Sequence, residues 1–488
     1  MPREPRDDVD ELSQLSIPEL IEIILQQQAL LARQAQRLAE LEEQVEQLQR
    51  AGKRQATPFA RQQPKANPQP PGRQAGQGCF TYRTPPPPET ITQIKEEFLA
   101  GCPHCGGALS DLRDCKTHQH FEVDIPAVQP CITRYVTHSG YCLHCRVRVR
   151  SRHPEQISQA TGAAGVAMGP RAKALAADLK HRLGVPYGKI EELFEVAFGL
   201  PCSRGGLCQA DARLAQQARP LYDELIELLR HSAQVHADET GWRIGTLSAW
   251  LWVFTNRQLT VYTVQSGRGH ARSHEVVIEI LGEEFAGTLI SDCFTAYDHQ
   301  KLAGWLKQKC VAHLLKDLSQ MEAAKSGPAV CFARQVSAVL RDALALRDQK
   351  QTLAATEFST QAQQLEAQLD GLIEERRRLS DADNRRFAKR LRKQRAHLLR
   401  FLYDEGTDAT NNQAERMLRP AVITRKTGGC NRSAQGAQTH AILASVLVTC
   451  NQQKLSLLDF LVKLQRAVGG VLPTLAPAPA AAQSAVPP

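Results

Sequence analysis

The sequence lacks a long apolar run: no stretch approaches the ~18 uninterrupted apolar residues of a membrane-spanning helix. Its first ten residues, MPREPRDDVD, also lack the apolar segment of a secretory signal. We therefore expect a cytosolic protein without a membrane span. Cysteine, by contrast, is plentiful at 14 residues. Because these thiols are scattered through a long chain, reduced cysteines and a metal site are favoured over disulfides.

Length and charge limit the class of protein further. A chain of 488 residues is too long for one compact core, which predicts roughly two to four domains. The apolar fraction of 42% is enough for ordinary globular cores. The formal net charge is +9, and the basic residues occur in patches, which indicates a polyanionic partner.

A seven-residue apolar repeat runs through residues 9–50. The first core position holds Ile17, Ile24, Leu31, Leu38 and Val45. Leu20, Leu41 and Leu48 fill most of the second core position. Gln27 and Gln34 interrupt the second position. The repeat predicts a short coiled coil, which would make the chain a homo-oligomer. The alternative is one amphipathic helix packed on its own domain.

Several other segments are defined by composition. Residues 51–95 are rich in Pro, Gln and Arg and are predicted to be a linker, and residues 469–488 form an Ala/Pro-rich tail. Residues 165–232 are predicted to be helical. Within them, RAKALAADLKHRLGVPYGKIEELFEVAFGL has a helix, a Gly/Pro turn and a second helix, a helix-turn-helix-like spacing that plain helical domains share. Residues 431–468 are predicted to be a C-terminal helical segment.

Two C-x-x-C pairs lie in a small module at residues 101–150: CPHCGG contains Cys102 and Cys105, and YCLHCR contains Cys142 and Cys145. Each pair can present two thiolates from one tight turn, as tetrahedral zinc requires. The sequence predicts a structural Zn²⁺ site, because four protein ligands leave no open position for chemistry. Alternative ligands nearby are Cys115, Cys131, His104, His118 and His144.

A mixed α/β domain is predicted for residues 233–430. The runs VHADETGWRI, SAWLWVFT and QLTVYTVQ alternate with short turns, as in a β-meander, and a helix-like stretch and a fourth run, GTLISDCFTAYD, follow. A polar, helical insertion interrupts the domain at about residues 320–405. The strand spacing of Trp242, Trp250 and Trp252 predicts that all three are core residues.

Two strands of this domain each carry an aspartate. Period-two alternation puts Asp238 and its neighbour Glu239 on opposite faces of the first run, and Asp292 lies at the end of the fourth run. Carboxylates brought side by side repel each other unless they share a proton or a cation. Mg²⁺ binds through one or two carboxylates together with water and phosphate, which makes it the expected ion. Taken singly, each aspartate is better explained as a strand-end or turn residue that makes backbone hydrogen bonds.

A third acid, Glu415, comes from TDATNNQAERMLRPAVITRKTGG. Asn411 or Asn412 is predicted to cap a short helix, with Pro420 near its end. The bases around Glu415 are Arg416, Arg419, Arg425 and Lys426. An acid among bases predicts a site in which the metal binds the acid and the bases bind phosphates. The alternative is a surface glutamate paired with arginine.

The insertion has a dense basic run, with eleven Arg or Lys in residues 374–400. Those predicted to contact DNA are Arg385, Arg386, Lys389, Arg390 and Lys393. Basic helices bind phosphates without reading sequence, although a solvated face is the alternative. His313, in CVAHLLKDL, is predicted to be a packed histidine rather than a metal or DNA contact.

The motifs occur in one order that resembles a known family. The motifs are the leucine-zipper-like start, CPHCGG with CLHC, HADETGWR, SDCFTAYD, CVAHLLKDL and NNQAERMLRP followed by RK. Together they are similar to transposases of the insertion sequence sixty-six family. The resemblance covers the chain from about residue 15 to 468.

The resemblance implies an α/β fold with a ribonuclease-H-like catalytic domain and a helical insertion, preceded by a coiled coil, a zinc-binding module and a helical region. It implies that Asp238, Asp292 and Glu415 form an Asp-Asp-Glu triad that binds Mg²⁺ or Mn²⁺. It also implies DNA as substrate, accessory proteins from the same element, and a nucleoid-associated protein of the bacterial cytoplasm. The expected reaction is nicking and strand transfer of transposon ends.

Two departures from the family pattern affect the surroundings of the acids. Cys293 follows the second aspartate where a small residue is common, and Gly428, Gly429 and Cys430 stand where an aromatic-containing stretch is more usual. Neither change removes a carboxylate. Two other functions fit the sequence: a coiled-coil, zinc-containing DNA-binding regulator with an inert α/β domain, and a nuclease of the same fold that cuts without joining.

Overall fold

A computed structural model of the protein describes residues 16–51, 84–98, 101–108, 118–266, 273–375, 379–467 and 471–476. The first element among the described residues is helix α1 (Ile17–Ala51). Its start is fixed by Ser16, whose hydroxyl donates to the Glu19 carboxylate over 2.6 Å. Large apolar side chains along its first half, among them Ile24 and Leu31, are more than half exposed. The structure therefore shows a helix where the coiled coil is predicted; residues 9–15 of that prediction lie outside the described ranges.

The cysteine-bearing segment contains a short antiparallel hairpin of β1 (Ser139–Tyr141) and β2 (Arg148–Arg150). The turn between them holds the second C-x-x-C pair and is closed by a 2.9 Å hydrogen bond from Cys142 N to Val147 O. Both strands are exposed, so the hairpin contributes little apolar burial of its own.

Three helices follow: α2 (Pro170–His181), α3 (Tyr187–Phe198) and α4 (Arg204–Arg230). The turn between α2 and α3 contains Gly184 at φ +74°, where a side chain would also meet Thr424 atoms at 3.1 Å. Glycine is needed there for both reasons. The turn thus lies directly against a later helix, the one that carries Thr424.

A five-stranded sheet forms the centre of the molecule. Its strands are β3 (Gln234–Ile244), β4 (Leu247–Thr255), β5 (Thr260–Ser266), β6 (Thr288–Ser291) and β7 (Leu306–Lys309). The spatial order is β5-β4-β3-β6-β7. The first three strands form an antiparallel meander, while β6 runs parallel to β3, and β7 parallel to β6. The central strand β3 therefore joins the two kinds of pairing.

Helices cover both faces of this sheet. Val235 and Ala237 on β3 pack into a core with α4 and with α5 (Ser273–Leu281). Trp242 on the other face packs against α11 (Asn412–Gly428) and α12 (Ala434–Gln452). The last helix, α13 (Leu457–Arg466), completes the first core.

Helix α12 also closes the outer edge of the meander. The Ser445 hydroxyl accepts from Tyr262 N at 2.8 Å, and the Thr449 hydroxyl accepts from Thr260 N at 3.0 Å. These bonds satisfy backbone groups of β5 that an exposed edge strand would offer to another chain.

The helical insertion builds a core of its own after β7. It comprises α6 (Val311–Ala324), α7 (Ala329–Asp348), α8 (Ala355–Glu374), α9 (Ala382–Gln394) and the short α10 (Arg400–Tyr403). Apolar side chains from all five helices meet in one cluster. Arg376, Arg377 and Arg378 of the basic run lie outside the described residues.

Two details differ from the sequence predictions. Trp242 and Trp252 are buried, but Trp250 is 38% exposed and is not a core residue. Helix α11 is not short, since it runs for 17 residues with Pro420 inside it.

Among the residues that the structure describes, every helix is too short or too polar to cross a bilayer.

Candidate functional site

The pairing of β3 with β6 brings the two aspartates together. These strands are parallel, and the last residues paired are His236 and Ile290. Continuing that register by two residues sets Asp238 beside Asp292, the first residue after β6. Neighbouring strands lie about 4.8 Å apart, so both side chains leave the sheet at one point. Distant parts of the chain thus meet at the carboxyl end of β6.

Glu415 reaches the same region from the first turn of α11. The helix lies on the sheet through Ala414 and Leu418, which are buried against β3 and β4. Asn411 occupies the N-cap position, but its side chain makes no capping bond. Its amide instead donates to Ala237 O at 2.8 Å. The prediction that an Asn side chain caps this helix is therefore wrong.

Asp292 and Glu415 both affect the titration of Asp238. Burial, the largest cause, and the charges of Asp292 and Glu415 together raise the pKa of Asp238 to about 6. A 2.9 Å hydrogen bond from Glu239 N to Asp238 Oδ1 and the charge of His313 act in the opposite direction. The site therefore holds an excess of negative charge that a cation would relieve.

His313, predicted to be a packed histidine, is half-buried and lies beside Glu415. Its side chain is 36% exposed, and its Nε2 lies 3.6 Å from Glu415 Oε1. A hydrogen bond with Cys310, together with the charges of Glu415 and Asp292, raises the pKa of His313 to about 9. The sequence signal for this role is its position three residues after the buried Cys310 that follows β7.

Glu239 is a residue that the sequence reasoning left without a role. Its Oε2 accepts a 2.8 Å hydrogen bond from the Tyr297 hydroxyl on the opposite face of β3 from Asp238. Burial and then the charge of Asp292 raise the pKa of Glu239 to about 8. A glutamate directly after Asp238 in an apolar run was the available signal.

Lys309, the last residue of β7, is fully buried behind the acids. Its Nζ lies 3.0 Å from Asp298 Oδ1 and donates to Asp292 O at 3.1 Å. It also stands over the Tyr297 ring at 5.6 Å. The lysine thus fixes the backbone that carries Asp292.

The two cysteine pairs form separate, similar turns. Backbone N–H groups of His104 and Cys105 lower the pKa of Cys102. The backbone and thiol of Cys145, with the backbone of His144, lower that of Cys142. Each turn thus favours a thiolate, as a zinc ligand requires. Within the described ranges, however, no three His, Cys, Asp or Glu side chains are grouped so as to hold a metal ion.

The basic residues predicted to contact DNA fall into two groups. The first group is exposed to solvent and consists of Arg416, Arg419, Lys426, Arg385 and Lys389. The others have partners within the chain: Arg425 donates to Thr240 and Gly241, Arg390 to Asp317, Lys393 to Asp298 and Arg386 to Asp383. Arg425 is therefore a link between α11 and β3, which makes it a poor phosphate contact.

We expect Asp238→Asn to stabilise the protein against unfolding at pH 8 in the absence of divalent cations, by about 1–2 kcal/mol. The folded pKa of Asp238 is raised from 3.8 to about 6, so the folded state holds its proton more tightly than the unfolded state. Stability therefore falls as pH rises from about 3.8 to about 6, and stays reduced above it. Urea unfolding at pH 4 and pH 8 measures the effect.

The control for this measurement is Glu284→Gln, which removes an exposed carboxylate in the loop before β6. It should change stability little at either pH. A stabilisation by Asp238→Asn that is equal at pH 4 and pH 8 would contradict the assigned environment.

The described residues form a mixed α/β protein with a central five-stranded sheet and a helical insertion after its last strand. Residues 165–439 match the family described as Transposase IS66 family. This match covers more than half of the chain, and the chain belongs to that family.

One relative is the uncharacterized protein y4qI of Sinorhizobium fredii (strain NBRC 101917 / NGR234). The two are 26% identical over 323 residues, which is 58% of this chain and 56% of the relative. The chain thus spans about half the length of the curated relative that it matches.

Proposed function

We propose that the chain is the transposase of an insertion sequence, which nicks transposon ends and joins them to target DNA with Asp238, Asp292 and Glu415. The observation that supports the proposal is electrostatic: the charges of Asp292 and Glu415 both raise the pKa of Asp238, and the β3–β6 register, continued by two residues, pairs Asp238 with Asp292. A regulator with an inert α/β domain has no use for such a cluster.

The sheet supports the ribonuclease-H-like fold that the sequence resemblance implies. An antiparallel meander continues into two parallel strands in the order β5-β4-β3-β6-β7. Of the proposed catalytic acids, Asp238 lies on the central strand β3, and Asp292 lies just after its parallel neighbour β6. Glu415 lies on α11, which packs across the sheet. The helical insertion enters between the second and third acids.

The donor set fits a hard divalent cation. Carboxylate oxygens are the ligands that Mg²⁺ and Mn²⁺ prefer. When bound, a pair of such ions activates the attacking oxygen and stabilises the leaving oxygen of a phosphodiester. Asp238 and Asp292 would be metal ligands rather than proton carriers. Glu415 would leave its contact with His313 and bind the ion instead. Metal binding therefore requires Glu415 to move away from its present partner.

The exposed bases complete the site as phosphate contacts. Arg416 and Arg419 lie one to four residues after Glu415 on α11, and Lys426 lies two turns further along. Arg385 and Lys389 on α9 extend the positive surface to the insertion. Contacts of this kind position DNA without reading its sequence, so binding should weaken steeply with salt.

Incubation of the purified protein with labelled transposon ends, target DNA and Mg²⁺ tests the proposal. Gel analysis should show nicked ends and joined products. Nicks without joined products would indicate the nuclease, whereas bound but unaltered DNA would indicate the regulator. The accessory proteins of the same element that the resemblance implies can be added to the same reaction.

We further propose that Cys102, Cys105, Cys142 and Cys145 bind one structural Zn²⁺. Each C-x-x-C turn already directs backbone N–H groups at a cysteine sulfur, and the exposed β1–β2 hairpin needs a further source of stability. The exposed apolar residues of α1 support a coiled coil between copies of the chain.

We expect the purified protein to contain one zinc ion per chain, and Cys102→Ser to lose it, because structural zinc binding contributes about 10–16 kcal/mol to such modules. Atomic absorption on protein purified without chelator measures the content. The matched control is Cys208→Ser, which replaces an exposed thiol on α4 and should keep the metal. Folded, zinc-free wild-type protein would refute the assignment.

A further inference from the structure

We propose that Arg347, in the helical insertion, positions the three acids through Asp408, His236 and Asn411. The inference rests on the proposed function, because it assigns these residues to the assembly of the proposed metal site. They are positioning residues, since none of them touches the place where the acids meet.

The first part of the network joins the insertion to β3. Arg347 Nη2 on α7 donates to Asp408 Oδ1 at 3.1 Å. Asp408 Oδ2 lies 3.2 Å from His236 Nε2, and Asp408 N donates to Gln234 Oε1 at 3.2 Å. Asp408 lies in the segment between the insertion and α11. One carboxylate thus connects the insertion, the strand of the first acid and the approach to the helix of the third.

The second part joins β3 to the start of α11. His236 Nδ1 lies 3.3 Å from Asn411 Oδ1, and the Asn411 amide donates to Ala237 O at 2.8 Å. Both His236 and Asn411 are buried. Asn411 O accepts from Glu415 N at 3.2 Å, which closes the first turn of α11.

The third part reaches the strand that precedes the second acid. Asn411 N donates to Cys310 Sγ at 3.1 Å, and Cys310 N donates to Ser291 O at 2.8 Å. The network therefore bonds Ala237 and Ser291, the residues immediately before Asp238 and Asp292, and the backbone of Glu415 itself. A shift of Asp408 would move all three acids relative to one another.

The chain contains a matched control. Arg257 also faces Asp408 Oδ1, but at 3.8 Å and from a side chain that is 76% exposed. Arg347 is nearer, hydrogen-bonded and only 33% exposed. Exposed ion pairs contribute little, whereas a charge-assisted hydrogen bond in a partly buried site contributes more. The inference therefore assigns the positioning role to Arg347 alone.

The test is Mn²⁺ binding by the full-length protein, followed by the electron paramagnetic resonance signal of the free ion. We expect Arg347→Ala to weaken Mn²⁺ binding about tenfold and Arg257→Ala to change it less than about twofold. Asp408→Asn should match Arg347→Ala, and combining the two should add little, because they break one interaction. Arg347→Lys keeps the charge without the planar geometry and should fall between. DNA cleavage by Arg347→Ala should recover most of its rate at saturating Mn²⁺.

The outcomes separate this inference from the proposed function. If wild-type protein binds Mn²⁺ and Glu415→Gln does not, the metal site stands; equal binding by Arg347→Ala and Arg257→Ala then overturns the inference alone. Wild-type protein that binds no Mn²⁺ overturns both. Thermal unfolding followed by circular dichroism checks that each variant is folded, and a rate loss that saturating Mn²⁺ leaves unchanged also contradicts the inference.

Discussion

Asp238→Asn, Asp292→Asn and Glu415→Gln are each expected to lower strand transfer by roughly thousandfold or more while leaving DNA binding within about twofold. Ions that stabilise charge at a phosphodiester contribute several kcal/mol, and each 1.36 kcal/mol lost costs about a factor of ten in rate. The variants remove ligand charge but keep side-chain size. The exposed bases on α9 and α11 remain, so affinity for DNA should persist. Strand-transfer and gel-shift assays on the same preparations measure both quantities.

The control is again Glu284→Gln, an exposed carboxylate away from the acids, which should transfer strands at the wild-type rate. The assignment fails for any one of the three positions whose variant still joins DNA ends at that rate. Loss of DNA binding together with activity would instead point to misfolding.

Lys309→Met is expected to destabilise the protein by about 3–5 kcal/mol, the usual effect of removing one partner from a buried ion pair. Lys309 is fully buried, and its Nζ lies 3.0 Å from Asp298 Oδ1. Burial alone would raise the pKa of Asp298, but Lys309, Gln394 and Lys393 together lower it. Without Lys309 the carboxylate stays buried with too little positive charge beside it. Urea unfolding at pH 7 measures the change.

Lys393→Met provides the comparison, because Lys393 meets the other oxygen of the same carboxylate at 3.2 Å but is 59% exposed. It should cost less than about 1 kcal/mol. Equal destabilisation by the two variants would show that burial of Lys309 does not decide the energetics.

Local sequence patterns were enough to predict the three antiparallel strands of the sheet. Alternation over VHADETGWRI and the two runs after it gives β3, β4 and β5, since half-buried strands impose a period of two. The same alternation puts Asp238 and Glu239 on opposite faces. The parallel pairing of β3 with β6, which sets Asp292 beside Asp238, depends on tertiary contacts that no local pattern specifies.

The errors in α11 have tertiary causes. Pro420 lacks a backbone N–H and was expected near a helix end, but burial of Leu418 and Ala421 against the sheet keeps the helix intact around it. Asn411 has the residue type of a cap, yet its side-chain NH₂ group donates to Ala237 O on β3 and its side-chain Oδ1 faces His236. Packing on the sheet outweighed local preference in both cases.

The unusual residues beside the acids also have structural roles. Gly429 ends α11 in the left-handed region at φ +72°, and Cys430, at φ +67°, is buried after it. Cys293 packs against the core of the insertion. Lys309 contacts Asp292 and Asp298, which belong to another strand and its loop, so its role was not visible in the sequence.

The central claim is that three distant carboxylates converge on one divalent cation. Crystals grown with Mn²⁺ and measured at the manganese absorption edge test it directly. We expect an anomalous peak within about 2.0–2.4 Å of oxygens from Asp238 and Asp292, with the Glu415 side chain turned from His313 toward the same ion. A peak bound elsewhere, with these three carboxylates facing apart at saturating Mn²⁺, would contradict it.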